Sequence, residues 1–164
     1  MSILIAYATK SGTAAACARL LAERLGTDVL LADLSREAPD PAAFDAVVVG
    51  GSIRVGRLHK AARRYLAAHT DALARRPFAF FLCNCFAAKT GELIDSLLPS
   101  SLRNRALWTG SFGGELDSAK LRGFDRLLAN MASKSPEAAG LRAGVDREAV
   151  DQCAKALLEG SLTQ

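Results

Sequence analysis

The turn Thr9-Lys10-Ser11-Gly12-Thr13 has the clearest capacity for chemistry in this chain, because it joins a short Ile-rich run to an alanine-rich segment that ends at Gly26. The run is typical of a strand buried on both faces, and the alanine-rich segment predicts a helix. Free backbone N–H groups and the positive end of the helix dipole would converge at the turn, where Gly12 permits close approach. The turn therefore predicts a phosphate site, most simply for a phosphorylated cofactor, with an ordinary Ser- or Thr-capped helix as the alternative.

A group of basic residues follows the third predicted strand: Arg54, Arg57, His59, Lys60, Arg63 and Arg64. Arg63 and Arg64 fit a solvated helix face. Arg54 and Arg57 precede the helix, at a strand end where positive charge would attract carboxylates or other anions. His59 has no partner that suggests a catalytic triad or a metal site, and Arg54 and His59 are the candidates for catalysis.

Two cysteines, Cys83 and Cys85, end the fourth predicted strand. Near a redox cofactor this pair suggests a dithiol relay, and the alternative is two small residues selected for packing. Cys17 and Cys153 lie on apolar helix faces and are predicted to belong to the core. No Cys/His set has the spacing of a zinc site, so no metal is expected.

Composition sets broad limits on the class of protein. The 164 residues, half of them apolar, are expected to form one domain over residues 1–164. The cysteine usage favours a reducing cytoplasm, and neither a signal peptide nor a membrane span is expected. The net charge is +4 and the pI about 9.1, but the basic residues are dispersed and aromatic residues are few, so nucleic acid is not an expected partner.

Strand and helix patterns alternate along the chain. Strands are predicted near residues 2–7, 29–31, 44–49, 78–82 and 106–108, with helices near 13–26, 58–73, 93–97, 121–131 and 150–157. This alternation predicts an α/β three-layer αβα sandwich with a five-stranded parallel sheet of flavodoxin-like order 2-1-3-4-5. In that order the ligand crevice lies at the carboxyl ends of strands one and three, which is where the phosphate-type turn falls.

Other nucleotide-binding folds lack their sequence patterns here. The chain has no G-x-x-x-x-G-K-[ST] stretch and no G-x-G-x-x-G after a strand. Acidic residues that would hold magnesium in a receiver domain are replaced at the end of strand one by Tyr7, Ala8 and Thr9.

Two stretches carry a family resemblance. Thr9-Lys10-Ser11-Gly12-Thr13 resembles the phosphate loop of flavodoxins, with Ala14 where a final Thr is usual. The stretch from Val47 to His59, VVVGGSIRVGRLH, closely resembles V-V-I-G-x-S-I-R-Y-G-x-x-H of the menaquinone-dependent protoporphyrinogen dehydrogenases, with Val55 where they have an aromatic residue. Phe124-Asp125-Arg126 is similar to the family's aromatic-Asp-Arg, and the segment between strands four and five is shorter.

The resemblance implies a flavodoxin-like domain that binds FMN through three loops. The implied cofactor-binding residues are Thr9, Lys10, Ser11, Gly12, Thr13 and Ala14 in loop one, Ser52, Ile53, Arg54, Val55 and Gly56 in loop two, and Cys83, Asn84, Cys85 and Phe86 in loop three. Phe86 is the one aromatic candidate to stack on the flavin ring, with core packing as the alternative.

The resulting hypothesis is an FMN-dependent oxidoreductase of the protoporphyrinogen dehydrogenase type, which would act in haem biosynthesis on a small acidic substrate. Quinone use is implied by the resemblance alone, and peripheral contact with a membrane is compatible with it. The first alternative is a flavodoxin-type electron carrier that serves a redox partner protein and has no substrate of its own. The second is a flavodoxin-like interaction domain without a cofactor.

Overall fold

The computed structural model describes residues 1–26, 28–84, 87–114 and 144–162, and strands and helices alternate along them. The strands are β1 (Ile3–Ala8), β2 (Val29–Asp33), β3 (Ala46–Arg54), β4 (Arg57–Leu58), β5 (Phe78–Cys83), β6 (Trp108–Ser111), β7 (Gly113–Gly114) and β8 (Gly144–Val145). The helices are α1 (Thr13–Leu25), α2 (Lys60–Ala74), α3 (Thr90–Leu97), α4 (Ser100–Arg103) and α5 (Arg147–Ser161).

Five parallel strands form the sheet in the spatial order β2-β1-β3-β5-β6. These are the five predicted strands in the predicted relative order, so the flavodoxin-like α/β class is confirmed. The sheet differs from the prediction by a sixth strand, β4, which pairs antiparallel with the end of β3. Strands β7 and β8 form a separate two-stranded antiparallel sheet.

Each face of the parallel sheet is covered by its own apolar cluster, because successive side chains of a strand point to opposite faces. In β5, Phe78, Phe80 and Leu82 pack beneath α2, α3 and α4. Ala79 and Phe81 join the opposite cluster, which contains residues of α1 and α5. Burial on both faces explains why β1, β3 and β5 have continuous apolar sequences.

Gly50 in β3 shows how tightly the sheet packs against its own side chains. A Cβ atom at this position would lie 2.1 Å from Phe81 Cε1, so the strand crosses the Phe81 ring only because residue 50 has no side chain. This close approach explains a glycine in the middle of an otherwise apolar strand.

Several predicted boundaries are wrong. Strand β3 continues past Gly50-Gly51 to Arg54, because its end is paired with β4 in a hairpin. Leu58 therefore belongs to β4, and α2 begins at Lys60. The fifth parallel strand lies at Trp108–Ser111 instead of near residues 106–108.

The predicted apolar helix faces agree better with the structure than the boundaries do. The α2 face formed by Ala62, Tyr65, Leu66 and Leu73 is buried, as predicted. Val150, Cys153 and Leu157 of α5 are buried as well. The predicted helix near residues 121–131, with Phe124-Asp125-Arg126, lies outside the described residues.

Candidate cofactor-binding site

Loop one leaves β1 at the carboxyl edge of the sheet and enters α1 through a strained position that glycine tolerates. Gly12 is the N-cap residue of α1 and has a left-handed conformation with φ of 94°. Its backbone N–H donates to Thr9 Oγ1 at 2.9 Å, which ties the two ends of the turn together. A Cβ atom on Gly12 would meet open space, so the turn leaves room directly above it.

The start of α1 presents free hydrogen-bond donors. No side chain caps this helix, and its first turn contains no acidic residue. The first N–H to find a partner in the helix ladder is that of Ala16, which donates to Gly12 O at 3.0 Å. The N–H groups of Thr13, Ala14 and Ala15 precede it and have no intrahelical acceptor. These donors, the helix dipole and the open space at Gly12 fit a phosphate group.

The six loop-one candidates contribute in different ways. Lys10, Ser11 and Gly12 are exposed, and Thr9 and Thr13 are half-buried. Ala14 is fully buried in the core, so it can offer only its backbone N–H. Thr9 Oγ1 already accepts a hydrogen bond from Gly12, which leaves its hydroxyl hydrogen to donate to a ligand.

Loop two is a tight hairpin, which the sequence analysis did not predict. Arg54 pairs with Arg57, and Val55 and Gly56 form the two-residue turn between them. Both turn residues have positive φ, 50° at Val55 and 68° at Gly56, as a type I′ turn requires. Val55 is β-branched, so its conformation is strained, and its side chain is 72% exposed at the hairpin tip.

A cleft of about 290 Å³ lies between loop one and the hairpin. It is lined by Lys10, Ser52, Arg54, Arg57, Leu58, His59, Lys60 and Arg63. Lys10 of loop one therefore lines the same cleft as Arg54 and His59. Arg63, which the sequence analysis assigned to a solvated helix face, also lines this cleft.

His59 is the N-cap residue of α2. Its Nδ1 accepts a hydrogen bond from the backbone N–H of Ala61 at 3.3 Å. An imidazole nitrogen that accepts is unprotonated, so the proton of the neutral ring lies on Nε2. The histidine thus combines a structural role with a position in the wall of the cleft.

Loop three begins in a buried polar network. Asn84 is only 7% exposed, and its Oδ1 accepts a hydrogen bond from Ser111 Oγ at 2.5 Å. Ser111 Oγ in turn accepts from the backbone N–H of Gly113 at 3.1 Å. Asn84 Nδ2 donates to Thr90 Oγ1 at 3.5 Å. The network links the ends of β5 and β6 to α3. Neither Ser111 nor Thr90 was predicted from the sequence to belong to the site.

Cys83 lies in the core, which agrees with the packing alternative for this residue. Its side chain is 4% exposed in the core cluster under α1. The thiol that contacts it is that of Cys17, and this hydrogen bond lowers the pKa of Cys17 while burial acts in the opposite direction. Cys85 and Phe86 lie outside the described residues. Burial raises the pKa of the Cys153 thiol to about 12, as expected for a core cysteine.

The fold and the loop geometry define a protein of the flavodoxin-like class. The chain belongs to the flavodoxin domain family, whose model matches residues 4–139.

Solved flavodoxins share the fold over nearly the whole chain. Flavodoxin 1 of Bacillus cereus has a TM-score of 0.61 at 17% identity, covering 97% of this chain and 98% of its own. The Fusobacterium nucleatum flavodoxin bound to flavin mononucleotide has a TM-score of 0.59 at 9% identity, with the same coverage. At these identities the similarity supports the fold alone.

Curated relatives are named protoporphyrinogen IX dehydrogenase (quinone). The protein from Escherichia coli strain K12 is 34% identical over 93 residues, which are 54% of this chain and 51% of the relative. The protein from strain O157:H7 gives the same values. The match thus spans about half the length of these relatives.

Among the described residues, no helix is long and apolar enough to cross a membrane.

Proposed function

We propose that this chain binds FMN, with the phosphate held by loop one, and works as an FMN-dependent redox protein. One observation supports the proposal most: α1 begins without a side-chain cap, next to Gly12, whose N–H donates to Thr9 Oγ1. A phosphate there would accept from the N–H groups of the first helical turn and from the hydroxyls of Thr9, Ser11 and Thr13. The bound flavin would supply the hydride or electron chemistry, and the protein would orient it.

The ring of the flavin would lie between the hairpin and loop three. Ser52, Ile53, Arg54, Val55 and Gly56 would contact it from the hairpin, and Cys83 and Asn84 would position it through the backbone that follows β5. Asn84 is held by Ser111, so this side of the site is rigid where it leaves the sheet. Cys85 and Phe86 remain predicted contacts.

The more specific proposal is an oxidoreductase of the protoporphyrinogen dehydrogenase type with an acidic substrate. It is supported by the 34% identity to relatives of that name over half the chain. It is also supported by Arg54 and His59 in one cleft, where the cation would hold a substrate carboxylate and His59 Nε2–H would donate a hydrogen bond. A quinone as electron acceptor and an active site in the cytoplasm belong to the same proposal.

A flavodoxin-type electron carrier is the second candidate. The exposed Val55 tip favours it, because an apolar residue ringed by charge is typical of surfaces that meet a partner protein.

The test of FMN binding begins with protein mixed with FMN and separated from free ligand by gel filtration. Flavin absorption that co-elutes at one flavin per chain supports the proposal, and a colourless protein contradicts it. The retained complex is then incubated anaerobically with protoporphyrinogen IX and a soluble quinone. Protein-dependent appearance of porphyrin fluorescence supports the enzyme, whereas photoreducible flavin without porphyrin formation supports the carrier.

A further inference from the structure

The cleft is surrounded by a concentration of positive charge that one small anion would not neutralise. We call these five cations the basic face: Lys10, Arg54, Arg57, Lys60 and Arg63. All except Arg54 are exposed, and no carboxylate is among the described residues that line the cleft. Cations gathered this closely repel one another and lower the stability of the folded state unless something neutralises them.

Four carboxylates in the described residues form ion pairs away from the cleft. These ion pairs join Arg24 to Asp151, Arg36 to Asp33, Arg103 to Asp95 and Lys155 to Glu159. Within the described ranges, Lys10, Arg57, Lys60 and Arg63 have no carboxylate within ion-pair distance. The start of α2 adds to the positive potential, since its first turn contains no acidic residue and its cap is a histidine.

The shape of the surface indicates a large partner. A cleft of about 290 Å³ can admit one or two carboxylate groups, but the exposed cations extend beyond it on the hairpin and on α2. Val55, 72% exposed, projects between the paired Arg54 and Arg57. An apolar tip within a charged rim is the usual anatomy of a protein–protein interface.

We infer that the basic face docks an acidic, Asp/Glu-rich segment of a partner protein, whose carboxylates enter the cleft while Val55 meets an apolar residue beside them. Electrostatic steering would bring the partner to the edge of the flavin site. That the partner donates or accepts electrons rests on the proposed redox function; the docking itself does not.

Nucleic acid is a poorer fit to the same charge. Single strands bind through aromatic side chains on which their bases stack, and the described part of the lining offers a single ring, that of His59.

The test uses a fluorescently labelled octaglutamate peptide as probe and measures its binding to the full chain by anisotropy at several salt concentrations. Binding should weaken as salt rises, because charge pairs at a surface are screened. The double variant R57A/R63A should bind the peptide at least fivefold more weakly. The control R19A/R147A removes the same charge from exposed positions on α1 and α5, which pack on the other face of the sheet, and should change binding less than twofold.

Equal weakening by the two double variants would overturn the proposal, because it would mean that net charge alone attracts the peptide. No measurable binding at low salt would overturn it too. So would tighter binding of an octathymidine strand, or of citrate, than of octaglutamate, since the face would then select another ligand. FMN retention by each variant is measured in parallel, so loss of flavin binding is distinguished from loss of docking.

Discussion

Thr9 and Gly12 are joined by a hydrogen bond in which the Gly12 backbone N–H donates to Thr9 Oγ1 at 2.9 Å. This bond holds Gly12 at φ of 94°, the conformation from which α1 starts without a side-chain cap. An ordinary helix would place a Ser, Thr, Asp or Asn at that position to satisfy its first N–H groups. Here the Thr9 hydroxyl accepts from Gly12, before the helix begins, so the N–H groups of the first turn of α1 remain available to a ligand.

Replacing Thr9 with Val removes the acceptor of the Gly12 N–H and the hydroxyl beside the phosphate position. A hydrogen bond to a charged group contributes about 1.5–3 kcal/mol, so loss of the Thr9 bond to the phosphate should lower FMN affinity about tenfold or more. Thr9→Ser keeps the hydroxyl and should retain affinity close to that of the wild type. Affinity is measured by quenching of flavin fluorescence. Unchanged binding by Thr9→Val would show that the hydrogen bond between Gly12 and Thr9 does not shape the site.

Arg54→Ala tests the part of the cleft that faces the proposed substrate. A charge-assisted hydrogen bond is worth about 1.5–3 kcal/mol, so kcat/KM for protoporphyrinogen IX should fall about tenfold or more. The dissociation constant of FMN should change by less than about threefold, because in the proposed site the phosphate is held by loop one. Arg64→Ala, on the same helix as Arg63 but outside the cleft lining, is the matched control. Parallel loss of flavin binding and turnover in Arg54→Ala would make Arg54 structural.

Val55→Asn should stabilise the protein. Val55 has φ of 50°, which a β-branched residue adopts at a cost of about 1–3 kcal/mol, and Asn-Gly is the preferred sequence for a type I′ turn. The expected gain in unfolding free energy is about 1 kcal/mol in urea titrations. Val55→Thr retains the β-branch and should give no comparable gain. A lower free energy of unfolding for Val55→Asn would mean that the valine side chain makes a contact that stabilises the protein by more than the backbone strain costs.

Ser111→Ala removes the donor to Asn84 and the acceptor of the Gly113 N–H in one step. Asn84 is buried, and the two lost hydrogen bonds, at about 0.5–1.5 kcal/mol each, should together cost about 1–3 kcal/mol of stability. Ser96→Ala is the control: its hydroxyl donates to Leu93 O at an exposed site, where the expected change is within about 0.5 kcal/mol. Similar melting temperatures for the two variants would show that the Asn84 network is not needed for stability.

The fold was predictable because its dominant signals are strong and local. Continuous apolar runs at β1, β3 and β5 favour burial on both faces, and five parallel strands alternating with helices most often take the flavodoxin-like order. The hairpin was missed because its turn is Val55-Gly56, and a β-branched residue at positive φ contradicts the usual turn preferences. Turn preferences therefore failed to predict the hairpin at Val55, the residue whose backbone is strained.

The candidate site was predictable where the chain itself positions the residues. Lys10, Arg54 and His59 meet because strands one and three are neighbours whose carboxyl ends share one edge of the sheet. Pairings between distant residues were not predictable. Cys17 contacts Cys83 from α1, and Ser111 holds Asn84 from the neighbouring strand. The rule that polar residues at carboxyl strand ends form the site would have drawn attention to Ser111.

The central claim is that loop one is a phosphate site, and comparing FMN with riboflavin tests it most directly. The two ligands share the ring and the ribityl chain and differ in the phosphate, so their affinity ratio isolates the contribution of loop one. The account predicts micromolar or tighter FMN binding and riboflavin binding that is weaker by at least about tenfold, equivalent to about 1.4 kcal/mol. Equal affinities, or no binding of either flavin by folded protein, would contradict it.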